Sequence, residues 1–364
     1  MKPSSFLPLA LALAYLYAVV CSSPGSNTAS TSSITALCML DSKEVLFDRS
    51  NGSAFIDSGK FSDVYAGKLA NSEGTDVVVK VLKQPISASK VSREVRILEQ
   101  CSDIDGVIEL LGVINEPKES DSLVALVFES VGKNPQWLSH RGLPAGKKLS
   151  RNEVNSDLTE SEVKMYMYKV LLCLQFLHRR GIMHRDIKPR NIIIDRPMQR
   201  LKIIDFGHAE ELVSGKQYST RIASRHYKAP ELLLNYMCYD SAVDIWACGC
   251  VLAGLIFRQA EPFFYARSDP QNLRQLGAVS RFVGSDAILT YCTKYGIRVT
   301  EKLRRAIGNH RVVPIESFRS VDNAYLSSEL ALDLCRGMLR VDHQERMTVE
   351  DCLAHPYFDE CRGD

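Results

Sequence analysis

The segment His184-Arg185-Asp186-Ile187-Lys188-Pro189-Arg190-Asn191, followed by Asp205-Phe206-Gly207, sets two acids, a lysine and an asparagine at a spacing suited to moving a phosphoryl group. A γ-phosphoryl group passes through a loose, anionic transition state, so a protein contributes mainly positioning, metal ligands and cations. In this pattern Asp186 accepts the proton of the attacking hydroxyl, Lys188 sits beside the γ-phosphate, and Asn191 and Asp205 each hold a Mg²⁺. Asp-Phe-Gly alone is common by chance. The order of the two motifs, each beside an apolar strand-like run (Ile192-Ile193-Ile194 and Leu201-Lys202-Ile203-Ile204), gives the match its weight.

The nucleotide side rests on Lys80, a lysine inside the β-branched run Asp76–Leu82, where an unpaired ammonium is costly. Glu94 on the following helix is its expected partner, with Lys80 reaching the α- and β-phosphates of ATP. A phosphate-covering loop is expected over Asp57-Ser58-Gly59-Lys60-Phe61-Ser62-Asp63-Val64. It keeps one glycine, Gly59, which brings backbone close to phosphates, while Asp57 adds negative charge there. Phe128, Glu129 and Val131 belong to the hinge that reads the adenine edge, and Val64, Val78, Ile193 and Ile204 complete the expected ATP-binding set.

These residues require particular elements. Strand-like segments dominate before residue 131, with Asp76–Leu82 and Leu123–Glu129 the clearest. Between them Val91, Val95 and Leu98 recur at helical spacing over Ser89–Cys101. After residue 157 the pattern turns helical: Val163, Met167, Val170, Leu174 and Leu177 mark one stripe of a helix ending at Gly181. A second apolar helix spans Ala242 to Phe257. The resulting class is α+β, with a small β-rich lobe over 51–131 and a larger helical lobe over 132–361. Residues 132–157 read as a polar, solvated insertion.

At 364 residues the chain exceeds the usual limit of one hydrophobic core. A net charge of +2 argues against nucleic acid as a general partner. Residues 1–22 have the three-part form of a secretory signal peptide, alternatively an uncleaved anchor, and 23–50 read as a linker. The expected location is the secretory route, or the cytoplasm or nucleus if the start is mis-assigned; a membrane is a partner only through an uncleaved anchor. The 11 cysteines show neither disulfide-framework nor zinc spacing, and Cys101, Cys173, Cys335 and Cys352 fall inside helical patterns as buried apolar residues. Asn51-Gly52-Ser53 is the one glycosylation sequon.

Ala229-Pro230-Glu231, Asp244-Ile245-Trp246 and Arg346 complete a resemblance to eukaryotic protein kinases, in which Arg346 pairs with Glu231. Within them the chain is most similar to the catalytic-subunit family of casein kinase 2. The longer strings are Gly181–Asp186, Arg221-Ile222-Ala223-Ser224-Arg225, Ile256-Phe257-Arg258 with Glu261-Pro262-Phe263-Phe264, and Asp342–Arg346. Similarity runs from about 56 to 358.

The resemblance implies a bilobal serine/threonine kinase using ATP and Mg²⁺, with Arg221, Arg225 and Lys228 selecting acidic protein substrates, Arg225 being the one with a plausible structural role. Departures are the single cation in Gln84–Lys90, where the family has a lysine run for distal acidic residues, and Phe206 for the family's tryptophan, which bears on GTP use. No counterpart of the family's N-terminal activating segment is present, so Ser219 and Thr220 are expected control sites. A regulatory subunit is left open. The competing readings are an inactive scaffold, suggested by the eroded glycine loop, and a small-molecule kinase, which Ala229-Pro230-Glu231 opposes.

Overall fold

The computed structural model describes residues 38–40, 44–48, 54–59, 61–70, 74–85, 87–116, 123–132, 135–138, 158–267 and 272–362. Residues 1–37, the sequon, Lys60 and most of 132–157 lie outside them. The described residues divide into two units, one up to residue 134 and one from 135 on. Among them no helix is long and apolar enough to cross a membrane.

The first unit is a seven-stranded sheet. Its strands are β1 (Cys38–Leu40), β2 (Val45–Leu46), β3 (Phe55–Ser58), β4 (Ser62–Leu69), β5 (Asp76–Leu82), β6 (Leu110–Glu116) and β7 (Leu123–Glu129). The order is β1-β6-β7-β5-β4-β2, with β3 beside β4. β1 runs parallel to β6; the other pairs are antiparallel. Two short strands, β1 and β2, thus fall in the range read as linker.

Period-two alternation in β5 decides what its lysine can do. Val77, Val79 and Val81 are buried and pack with Val45, Tyr65, Ile114, Ala125 and Val127. Each such valine contributes about 1.5–3 kcal/mol by leaving water. Val78, Lys80 and Leu82 therefore share the opposite face. Helix α1 (Ala88–Gln100) buries Val91, Glu94, Val95, Ile97 and Leu98 along one side, the spacing of an amphipathic helix.

The second unit is mainly helical. Its helices are α2 (Glu160–Arg179), α3 (Pro230–Leu233), α4 (Ala242–Ile256), α5 (Leu273–Val283), α6 (Ser285–Lys294), α7 (Glu301–Ile307), α8 (Glu329–Met338) and α9 (Val349–Ala354). Thr159 and Glu162 form a reciprocal capping box at the start of α2. The Glu162 carboxylate also takes two bonds from Arg196, at 2.7 and 2.8 Å. The apolar stripe from Val163 to Leu177 is buried, and α2 stops at Gly181, whose φ of 68° suits glycine. Helix α4 is apolar on nearly every side, as befits a buried helix. A Cβ on its Gly249 would meet Leu339 at 2.9 Å, so glycine lets α4 lie against the end of α8.

Small strands carry the loops that hold Asp186, Asn191 and Asp205. β9 (Ile182–Met183) pairs with β12 (Glu210–Glu211), and β10 (Ile192–Asp195) pairs with β11 (Arg200–Ile203) and with β8 (Gln136–Trp137). Residues 184–191 bridge β9 to β10, and Asp205 follows β11. Nine cysteines among the described residues form no disulfide, and those read as buried apolar residues are buried. Burial pushes the thiols of Cys335 and Cys352 up to about 12, so neither is a nucleophile at neutral pH.

Candidate active site

The catalytic loop is held from beneath by Asp244, in the first turn of α4. Its carboxylate accepts the backbone N–H of His184 at 2.9 Å and of Arg185 at 2.7 Å, and a third bond from His178 at 3.0 Å. Burial alone would raise the Asp244 pKa; the hydrogen bond and charge of His178, with the Arg185 N–H, hold it below the usual carboxylate range instead. Arg185 adopts a left-handed φ of 65°, which costs a non-glycine residue about 1–2 kcal/mol. The two N–H bonds to Asp244 offset that cost and fix the backbone that leads into Asp186.

Asp186 is buried at 4% exposure. Its Oδ1 accepts the Ser224 N–H at 2.7 Å, and its Oδ2 accepts Lys188 Nζ at 2.7 Å and Asn191 Nδ2 at 3.1 Å. An ionised carboxylate has about four acceptor sites, so one is left for an incoming hydroxyl. Lys188 Nζ also donates to Ser224 Oγ at 2.8 Å. The Asn191 amide nitrogen is further tied to the Asp186 carbonyl at 2.8 Å, which leaves Asn191 Oδ1 for a cation.

Asp205 is brought to this loop through its neighbour. Ile204 N–H donates to the Asn191 carbonyl at 2.9 Å, and its carbonyl accepts from His184 Nε2 at 3.1 Å. His184 Nδ1 accepts the Asp186 N–H, so the ring carries its proton on Nε2. Phe206 is buried edge-on against His184, with centroids 4.8 Å apart. Asp205 itself has a left-handed φ of 65°, a conformation aspartate visits more readily than most residues.

In the first unit Lys80 Nζ lies 2.6 Å from Glu94 Oε1, both side chains largely buried. Strand register sets Lys80 opposite Val64 and Leu126, and Val78 opposite Ala66 and Phe128. Val64 and Val78 are thus on the Lys80 face. Phe128 and Val131 are buried. The Glu129 carboxylate accepts the Glu109 N–H at 3.0 Å. In the second unit Ile193 and Ile204, both half-buried, flank Asn191 and Asp205 respectively along the chain.

The family model for the protein kinase domain matches residues 52–358. The chain belongs to the protein kinase domain family. Its β-rich unit with one long helix and its mainly helical unit are the two lobes of that α+β fold.

The activation segment of this kinase is anchored by side chains. Arg185 Nε donates to the His208 carbonyl at 2.7 Å, Nη1 to Tyr239 Oη at 3.0 Å, and Nη2 pairs with Glu210 at 3.3 Å. Tyr239 Oη donates to the Ser219 carbonyl at 2.8 Å. Thr220, expected as a control site, is buried with its hydroxyl on Asn235; Ser219 is exposed. Beneath the segment Glu231 and Arg346 form a two-bond ion pair at 2.7 and 3.0 Å, both side chains fully buried.

The three cations divide in a way their spacing did not show. Arg221 is exposed. Lys228 is buried and donates to the Thr220 carbonyl at 3.2 Å; burial, with the Arg225 guanidinium beside it, pulls the ammonium below its usual range against the opposing pull of Asp186. Arg225 Nε is buried without a hydrogen-bond partner among the described residues. Lys228, rather than Arg225, therefore has the structural bond.

Protein kinase domains use ATP and Mg²⁺, which supply the phosphoryl group and neutralise its charge. The residues of each unit fit their part: in the second unit Asn191 Oδ1 and the Asp205 carboxylate are hard oxygen ligands of the kind that would hold Mg²⁺, and in the first unit Lys80 is a largely buried cation held in place by Glu94. Asp186 is placed to take a hydroxyl proton at its remaining acceptor site, and Lys188 to hold positive charge beside it.

Sequence reasoning missed Lys83. Its Nζ donates to Ser58 Oγ and the Gly59 carbonyl, both at 2.9 Å, and pairs with Asp63 at 2.8 Å, while its N–H donates to the Phe61 carbonyl. Asp63 alternates with Val64, so this clamp grips the glycine loop from the face opposite Lys80. Asp57 Oδ1 accepts the Ser58 N–H, and the Gly59 N–H donates to the Ser62 carbonyl, so the loop turn closes on itself. Only a lysine just past a strand end signals the clamp in sequence.

Proposed function

We propose that the chain is a serine/threonine protein kinase that transfers the γ-phosphoryl group of ATP, with Mg²⁺, to hydroxyls in acidic sequence contexts. The observation that carries the reading is the Ser224 N–H, 2.7 Å from Asp186 Oδ1. It sets the backbone of the activation segment, the platform on which a peptide lies, directly beside the proton acceptor. Lys188 joins the same two residues, donating to Asp186 Oδ2 at 2.7 Å and to Ser224 Oγ at 2.8 Å, and the preference for serine and threonine rests on the resemblance carried by the sequence motifs.

Charge supports the acidic context. Arg225 follows Ser224 and adds a half-buried guanidinium to the segment beside Asp186, a charge that favours a carboxylate or phosphate nearby. Arg221 adds an exposed cation on the same segment. An inactive scaffold is not favoured, because Lys80, Glu94, Asp186 and Asn191 keep the pairings transfer needs. The test compares serine peptides followed by acidic or neutral residues. Replacing Arg221 and Arg225 with alanine is expected to raise KM about tenfold for the acidic peptide and little for the neutral one; equal effects, or preference for a tyrosine peptide, contradict the reading.

A further inference from the structure

Arginines outside the activation segment gather around a pocket of about 570 Å³ in the second unit. Arg267, Arg274 and Arg281 line it with Tyr265, Leu273 and Gly277. Arg274, Gly277 and Arg281 stand three and four residues apart on α5, hence on one face of that helix. Gly277 makes the floor: a Cβ there would meet the Ala306 carbonyl at 2.9 Å, so α5 lies against α7 at this point and leaves an apolar base between two cations. Among the described residues neither Arg267 nor Arg281 is ion-paired, and both are exposed.

The pocket is joined to the activation segment. His226, in the turn Arg225–Tyr227, stacks on Tyr265 with centroids 5.3 Å apart and planes 23° apart. Its Nδ1 lies 3.2 Å from Gln275 Oε1, and the buried Gln275 gives its own Nε2 proton to the Phe264 carbonyl at 2.9 Å. That leaves Gln275 Oε1 as acceptor and His226 as donor. The turn carrying Arg225 is thus fixed to the helix carrying Arg274 and Arg281, and the two cationic groups belong to one rigid surface.

We infer that this pocket is a second docking site for the protein substrate, engaging a carboxylate-rich segment of the chain whose hydroxyl lies at Asp186. The inference rests on the proposed acidic-substrate kinase activity and extends it. Guanidinium groups pair with carboxylates in a planar, two-bond manner, and an apolar base between them suits the methylenes of glutamate. The stretch 84–90 carries a single cation, Lys90, so three arginines at the pocket form a denser distal anion site than that stretch does.

The test uses the full chain and two labelled peptides in fluorescence anisotropy. The short peptide is a serine followed by three acidic residues; the long one adds an alanine spacer of variable length and four glutamates. The long peptide is expected to bind about five- to tenfold tighter over one range of spacers, a gain that shrinks as salt is raised. R267A/R281A should abolish the gain while leaving the short-peptide Kd and the Tm unchanged, and R267K/R281K should keep part of it. Equal gain in the double alanine variant, or no gain at any spacer, overturns the site. Because the readout is binding, a chain that shows the gain yet transfers no phosphate counts against the proposed activity and not against the pocket, whereas phosphorylation of the short peptide with no gain for the long one counts against the pocket alone.

Discussion

Asp244 receives the Arg185 N–H at 2.7 Å, so a core helix holds the catalytic loop by its backbone. Asp244→Asn substitutes an N–H donor for one acceptor oxygen and so removes one of the two bonds that offset the left-handed Arg185. The expected result is a fall of about 10²-fold in kcat from misplacement of Asp186, with KM for ATP little changed. Steady-state kinetics on the folded variant check it; an unchanged kcat shows that the loop holds its shape without Asp244.

The Lys83 clamp orders a loop that has lost two of its expected glycines. Lys83→Met should raise KM for ATP about fivefold with kcat preserved, because the free loop then has ordering entropy to lose on nucleotide binding. Lys83→Arg should restore part of the affinity. A lower KM in the methionine variant would show that the clamp holds the loop away from its working position.

Glu231 and Arg346 are an ion pair with no exposed side-chain surface. Arg346→Met leaves a buried carboxylate unpaired and should cost about 3–5 kcal/mol. For a chain of this size that lowers Tm by roughly 4–8 °C. Thermal unfolding measures it, and a loss under about 1 kcal/mol contradicts the assigned burial.

Glu162 gives a pH-dependent test. Burial raises its pKa, but the bonds from Arg196 and Thr159 more than offset that and leave it below its ordinary value of 4.5. A carboxylate lowered in the folded state stabilises it above the unfolded pKa and loses that contribution as pH falls through the folded one. Glu162→Gln should therefore lower stability by about 1–2 kcal/mol at pH 7, and the gap in Tm should narrow below pH 4.5. A gap that stays constant into acid would mean that the carboxylate charge is not what matters.

Much of the fold was legible because its signals are local. The β-branched run Asp76–Leu82 predicts the strand that carries Lys80, and the stripe from Val163 to Leu177 predicts α2 to within a few residues. Asp186, Asn191 and Asp205 were singled out because phosphoryl transfer needs those types at that spacing, and the structure brings Asn191 onto Asp186. What escaped depends on contacts distant in sequence: Lys83 reaching 25 residues back to Ser58, His178 serving as the third partner of Asp244, and Lys228 rather than Arg225 taking the structural bond. Three arginines spread over 267–281 carry no pattern until α5 and the Tyr265 loop bring them to one pocket.

The most direct measurement is transfer of labelled γ-phosphate from ATP to a serine peptide followed by acidic residues, with and without Mg²⁺, by the wild-type chain and by Asp205→Ala. The account predicts Mg²⁺-dependent transfer that falls at least about 10³-fold in the variant while its fold is retained. Undiminished transfer by the folded Asp205→Ala protein would contradict it.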